Sequence, residues 1–286
     1  MKIYFNTSFQ NEAPLFEHTL PIWSKYNIDK FIFFDDHSTD NSREVIYRIL
    51  GKDRAIVLNK PELEYDDSHC IGRQMMLDLS RQEGADFVFC LDADELLSTN
   101  LNTNIYDILN YMISTNTNLY MYWFNHINYS FEQTRCDGYY KQCYHPFIIP
   151  CKFSSNFLTT SKEHHSFWRT PNIHLTNSQA TQNFGIVHLQ MINTNYYVHK
   201  QLWYKHYEHI KYGFSEEQIN SRYDNNINFL NFEFFHTSKD IIENITFDYG
   251  VFDKLIEHKG YRDYINKYYN PKLITFGQSF LKHNHE

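Results

Sequence analysis

Asp92, Asp94 and Glu95 place three carboxylates within four positions, at the end of the short apolar run Asp86-Phe87-Val88-Phe89-Cys90-Leu91. A run this short, closed by acids, reads as a buried strand that delivers carboxylates to a sheet edge. Like charges so close repel, and partial burial raises their pKa unless a cation neutralises them. A hard divalent metal is the natural partner, and that metal in turn suggests a phosphate ligand. Period-2 geometry would send Asp92 and Asp94 to the same side of an extended strand, where they share one ion directly or through water. The alternative for an isolated Asp-x-Asp is a strand ending in a solvated acidic turn, so its surroundings decide.

Those surroundings are regular over the first hundred residues. Lys2–Asn6 reads as a first strand, followed by Asn11 as N-cap and by Phe16, Leu20 and Trp23 at helical spacing. A second strand, Lys30–Phe34, ends on Asp35-Asp36-His37-Ser38-Thr39-Asp40, and a helix from Ser42 carries Val45, Ile46 and Ile49 inward and stops at Gly51. Ala55–Leu58 is a third strand. The helix with Ile71, Met75, Met76 and Leu79 on one face then leads through Gly84 to the acidic strand. This βαβαβαβ order predicts an α/β fold, a doubly wound and mostly parallel sheet with its ligand beyond the carboxyl ends of the strands. Neither Gly-x-Gly-x-x-Gly nor Gly-Lys-Ser/Thr is present, so phosphates must be held by metal and side chains.

Taken together, Asn11-Glu12, Phe33-Phe34-Asp35-Asp36-His37-Ser38-Thr39-Asp40-Asn41-Ser42, Arg73-Gln74 and Leu91-Asp92-Ala93-Asp94-Glu95 resemble the motifs of a GT-A glycosyltransferase of the family 2 type. Gln74 stands where that family usually shows Asn. The resemblance implies a nucleotide-sugar donor, with an aspartate of the Asp35-Asp36 pair on the nucleobase and Glu12 by the nucleoside. It places Arg73 near the base or diphosphate, Asp92 near the ribose or a metal-bound water, and Asp94 on Mn²⁺ or Mg²⁺. Phe184–Leu189, a strand carrying His188, and the helix at Lys200-Gln201-Leu202-Trp203-Tyr204 are similar to the family's late His and Lys/Tyr helix. His188 is thereby implied as a third protein ligand of the metal and Lys200 as a diphosphate contact.

The expected organisation is a GT-A domain over residues 1–213, with a nucleotide-sugar half (1–100) and a smaller mixed-sheet acceptor half (101–213), and a helical C-terminal extension over 214–286. Leu119–Tyr129 and Gly138–Pro150 read as aromatic strands of the acceptor half. His206 and His209, at i,i+3 beside Lys205 and Lys211, read as a solvated helix face rather than a zinc site. A single displacement needs a base on the acceptor side, away from the metal and the nucleoside. That leaves Asp137 and Glu163, the latter preferred because it follows the acceptor-side strands and is flanked by His164-His165.

Composition narrows the partner. A net charge of -8 and the absence of a basic stripe argue against nucleic acid. Five cysteines without Cys-x-x-Cys spacing support neither a disulfide framework nor a zinc ribbon. The 23 Tyr and 24 Phe suit stacking on sugar rings, so a glycan or glycoprotein acceptor fits. No stretch is long enough to span a bilayer, and the strand-like Met1–Phe5 has no signal peptide before it, so the expected setting is cytoplasmic. The expected function is inverting, metal-dependent transfer from a nucleoside-diphosphate sugar, with a uridine donor favoured. Two other classes also fit an Asp-x-Asp strand: a haloacid-dehalogenase-like phosphohydrolase, disfavoured because that motif normally lies on the first strand, and a non-catalytic GT-A-shaped binding protein.

Overall fold

A computed structural model describes residues 1–61, 68–127, 129–157, 169–227, 232–243 and 245–274. In chain order the first elements are β1 (Ile3–Phe9), α1 (Ala13–Trp23), β2 (Lys30–Asp35), α2 (Ser42–Leu50), β3 (Ala55–Asn59), α3 (Ser68–Gln82) and β4 (Phe87–Cys90). There follow β5 (Glu95–Leu97), α4 (Thr99–Thr103), α5 (Ile105–Ser114), β6 (Thr117–Asn125), β7 (Gln133–Arg135), β8 (Tyr144–His145), β9 (Ile148–Pro150) and β10 (Asn177–His188). The last are α6 (Thr194–Tyr212), α7 (Glu216–Ile227), β11 (Phe234–His236), α8 (Lys239–Ile242), α9 (Val251–His258) and α10 (Tyr261–Lys267). The described residues divide into two compact units that interleave along the chain. One comprises Met1–Phe124, Cys143–His188 and Ser238–Phe247, the other Asn125–Gln142, Leu189–Thr237 and Asp248–Glu286.

The first unit contains the expected parallel sheet, in the order β3-β2-β1-β4, with β9 added antiparallel beside β4. β1, β2 and β4 are buried on both faces, the edge strand β3 only partly, and the period of 2 sorts their side chains. Phe5, Phe9, Phe31 and Phe33 meet Phe16 and Trp23 of α1, with Trp23 stacked on Phe31 and Phe33 at interplanar angles of 1° and 20°. Tyr4, Ile32, Phe34 and Val88 point the other way, onto Met76 and Leu77 of α3. Gly72 lets α3 come close, since a Cβ there would lie 2.6 Å from the Phe34 ring. A second sheet of the same unit has the order β5-β10-β6-β8.

Gly185 is the tightest point of that second sheet. A Cβ added there would lie 2.1 Å from the Tyr122 carbonyl oxygen, which is backbone and cannot swing aside. Gly185→Ala is therefore expected to cost about 1–3 kcal/mol through overpacking. Urea denaturation should show a lower midpoint at an unchanged slope.

The second unit packs α6 against α7, α9 and α10 and pairs β7 with β11. Here the solvated-face expectation fails for Lys205 and His206, while His209 is half-buried and Lys211 exposed. His206 and Lys205 are both 0% exposed, because α6 is central among these helices. Lys205 Nζ donates to Asp224 at 2.6 Å, and His206 Nδ1 lies 2.8 Å from the Leu202 carbonyl. Three local expectations also change. The N-cap of α1 is Glu12, while Asn11 adopts a left-handed φ of 54°. Gly138–Pro150 is a 3₁₀ turn followed by two short strands, and β6 ends at Asn125 before Tyr129, whose φ of 53° suits no strand. The five cysteines are free.

Candidate functional site

The site begins with topology. From β1 the chain winds outward through β2 to β3, then crosses back to place β4 on the other side of β1. The winding direction reverses there, so the carboxyl ends of β1 and β4 splay and leave a crevice. A small cleft, about 10 Å³ in volume, opens at this point, lined by Asn6, Ser8, Arg73, Met76, Cys90, Leu91 and Asp92. Asn6 Nδ2 and Ser8 Oγ are buried there with no hydrogen-bond partner among the described residues.

The acidic segment is a turn between strands, so the same-side geometry expected of extended chain does not apply to it. The Glu95 amide donates to the Asp92 carbonyl at 3.1 Å, and the Asp92 amide donates back to Glu95 Oε2 at 2.8 Å. The turn therefore aims its acids in different directions. Asp92 is 44% exposed, and its Oδ2 accepts from Arg169 Nη2 at 2.9 Å while Oδ1 lies 3.9 Å from Arg73 Nη2. Glu95 is fully buried and accepts from Arg169 Nη1 at 2.5 Å. Asp94 faces the other way, with Oδ2 3.6 Å from His188 Nε2. Register explains the last contact, since β10 pairs with β5 and sets His188 opposite Glu95. His188 is itself stacked on Trp123 of β6, centroids 4.1 Å apart.

The electrostatics follow from this crowding. Burial pushes the Glu95 carboxyl up to about 8, with Asp92 and Asp94 adding to the rise and Arg169 opposing it. Burial would raise Asp92 too, but the charges of Arg169 and then Arg73 outweigh it and hold that carboxyl below its usual range. His145, near the same cluster, is pushed down to about 4 by burial and by the Arg169 charge. Its Nε2 lies 3.4 Å from Cys143 Sγ.

At the end of β2 the acids serve a clasp. Asp35 is 2% exposed and is held by Arg43 and by the Ser38 amide, which donates at 2.8 Å. Asp36 Oδ1 accepts from Lys60 at 2.7 Å. Asn11 Oδ1 accepts from the Thr39 amide at 2.7 Å and the Asp40 amide at 3.3 Å, and the Asn11 amide donates to Ser38 Oγ at 2.9 Å. The Glu12 amide donates to Ser42 Oγ at 2.9 Å, and the Ala13 amide to Asp40 Oδ2 at 3.0 Å. The loops after β1 and β2 are thus tied side chain to backbone. A left-handed Asn11 and a left-handed His37, φ 57°, belong to the same clasp, strain of a kind that surrounding bonds must hold in place.

Of the residues expected to form the site, the first unit brings Asp92, Asp94, His188 and Arg73 to one strand edge, with Glu12, Asp35 and Asp36 in the clasp. Asp137 and Lys200 belong to the second unit. There Arg135 grips Asp137 in a bidentate pair, both bonds 2.8 Å, and Lys200 Nζ lies 5.6 Å from the Tyr196 ring centroid. Glu163 lies outside the described residues. Arg169 and Trp123 went unnoticed in the sequence. The signal for an arginine was the surplus of acid at Asp92–Glu95, which calls for counter-charge without saying where in the chain it comes from.

Among the described residues no three His, Cys, Asp or Glu side chains converge as a metal-holding group. The Asp94 carboxylate and His188 imidazole are nevertheless a donor pair of the kind Mn²⁺ accepts, whereas Asp92 is engaged by arginine. No helix among the described residues is long and apolar enough to cross a membrane.

No family model and no curated protein matches the chain. Among solved structures it is similar to S. aureus TarS, at 14% identity and TM-score 0.48 over 80% of this chain and 44% of that one. TarS 1–349 in complex with UDP is similar at 14% identity and TM-score 0.46, covering 77% and 69% of the two chains. The mannosyltransferase PcManGT from Pyrobaculum calidifontis, in complex with GDP-Man and Mn²⁺, is similar at 15% identity and TM-score 0.32 over 42% and 35%.

Proposed function

We propose that the protein is a GT-A-type glycosyltransferase that moves a sugar, with inversion, from a nucleoside diphosphate, UDP by preference, to a glycan or protein acceptor. The observation that carries this is the cleft at the β1/β4 reversal, where acids and arginines meet partnerless polar atoms at the carboxyl edge of a parallel sheet. A donor of this class asks for such a place, because its base needs hydrogen bonds and its diphosphate needs positive charge. Asp36, 23% exposed, is the member of the Asp35-Asp36 pair open to the nucleoside, since Asp35 is enclosed. Asp92 lines the cleft, its carboxylate held between Arg73 and Arg169.

Asp94 and His188 are the residues that would hold Mn²⁺ or Mg²⁺, and the ion would supply Lewis-acid stabilisation of the departing diphosphate. Trp123, stacked on His188, orients the imidazole whichever ligand it serves. The acceptor base is assigned to Glu163 on its place in the sequence, Asp137 being committed to Arg135.

The test is a thermal-shift and calorimetric series of nucleotides and nucleotide sugars with Mn²⁺. A ligand at a hundredfold its Kd adds about 2.7 kcal/mol, which a melting curve resolves. UDP and a UDP-sugar are expected to stabilise the protein, with slow release of UDP from the sugar nucleotide. An ionised carboxylate accepts the imide N–H of uracil, and cytosine has no donor there. GDP bound tenfold tighter than UDP would overturn the uridine preference. Release of inorganic phosphate in place of UDP would make the protein a phosphohydrolase, and binding without any release a sugar-nucleotide binder.

A further inference from the structure

Asp92 stands between two guanidinium groups that reach it from separate parts of the chain, Arg73 from α3 and Arg169 from the loop before β10. The arginine side chains are only 15% and 12% exposed, whereas the carboxylate between them is 44% exposed. Buried cations around a solvent-facing anion are the reverse of a surface ion pair, in which both partners are wet. Arg169 does not depend on Asp92 for its place. Its Nη1 donates to buried Glu95 at 2.5 Å, and its guanidinium carbon lies 5.0 Å from the Trp123 ring centroid and 5.3 Å from that of Phe147. A guanidinium fixed by one carboxyl group and two aromatic faces keeps its Nη2 edge toward the place Asp92 occupies if Asp92 swings away. Planar forks of this kind match carboxylate and phosphate oxygens alike.

We infer that Arg73 and Arg169 form a two-guanidinium oxyanion site, and that the Asp92 carboxylate fills it in the ligand-free protein as a stand-in for a diphosphate oxygen, which displaces it on binding. The inference rests on the nucleotide-sugar reading and deepens it by assigning the groups that neutralise the diphosphate. It also reverses the expected sign of one substitution. A residue whose sole part is to support a metal lowers affinity when removed, whereas a resident competitor raises affinity for the anion when removed.

Inorganic pyrophosphate in excess EDTA isolates that effect, titrated calorimetrically into the full chain. Asp92→Asn is expected to bind about tenfold tighter than wild type, the scale of about 1.4 kcal/mol. Asp94→Asn deletes an equal charge on the same turn and controls for the general field, so its affinity should stay within about threefold of wild type, the distance-weakened part of the Coulomb term. Arg169→Gln should lose about tenfold or more, the scale of a lost charge-assisted hydrogen bond, and should cancel the gain when combined with Asp92→Asn. Arg73→Gln gives the same result without touching Glu95, should Arg169→Gln fail to fold by circular dichroism.

No gain in Asp92→Asn, an equal gain in Asp94→Asn, or a gain that survives loss of both arginines would each overturn the inference. UDP titrated into wild type with Mn²⁺ reports separately on the nucleotide reading. If UDP binds and the pyrophosphate series is flat, the two-guanidinium site and the displacement both fail while the nucleotide reading stands; if UDP does not bind, the broader reading fails.

Discussion

Asp94→Asn is expected to retain the fold and to lose sugar transfer by about 10²-fold or more, the loss that several kcal/mol of Lewis-acid stabilisation implies. Asp94 is 7% exposed with its Oδ2 3.6 Å from His188 Nε2, and an asparagine of the same shape fits the same space, so packing changes little. What disappears is the anionic oxygen beside the imidazole. UDP release from a UDP-sugar can be followed with Mn²⁺ and with excess chelator, alongside the far-UV circular dichroism of both proteins. Wild type should fall to the level of the variant when the metal is removed. Full turnover by either the variant or the chelated wild type would sink the assignment.

The largest expected effect on stability is that of Trp23→Ala, about 3–5 kcal/mol. Trp23 is 0% exposed and lies 4.7 Å from Phe5 by ring centroids, with Phe16, Phe31 and Phe33 around it. Its Nε1 also donates to the Glu95 carbonyl at 3.0 Å, so α1 is tied to the acidic turn. Trp23→Phe separates the two contributions. It keeps most of the apolar contact and leaves the Glu95 carbonyl without this donor, a cost of about 1–3 kcal/mol. Urea unfolding of the three proteins reads both steps. A cost below about 1 kcal/mol for the alanine variant would mean that the ring is not the centre of this core.

The sheet was legible because its central strands are buried on both faces and its helices carry their apolar residues at regular spacing. The first four strands read as short apolar runs and the three helices as apolar residues at helical spacing bounded by caps and glycines, and their order dictates the crevice between β1 and β4. The acids at that crevice were legible too, by type and position. Their directions were not. A two-residue period holds only while the chain is extended, and the hydrogen bonds that close Asp92–Glu95 into a turn depend on a buried glutamate that no local pattern reveals. Arg169 was hidden for a related reason. It lies 77 residues from its partner Asp92, in a stretch without periodicity, and the sequence shows a charge deficit without showing which residue fills it. The short strands after Gly138 have too few residues to show alternation. His206 misled because charged neighbours usually mean solvent, whereas Lys205 is enclosed with its own carboxylate, Asp224.

The clasp between the loops after β1 and β2 has a consequence for how this chain can vary over time. Asn11 alone serves the Thr39 and Asp40 amides, and Asp40 serves Ala13 and Ser42 in return. Each bond spans the two loops or closes one of them at a fixed offset, so inserting a single residue in either loop would put several donors out of register at once. Most surface loops drift in length because nothing outside them depends on their spacing. A change in the length of either of these two loops is expected to break bonds that hold the other. The spacing of these loops is therefore a shared constraint, whereas side chains outside these bonds can change one at a time.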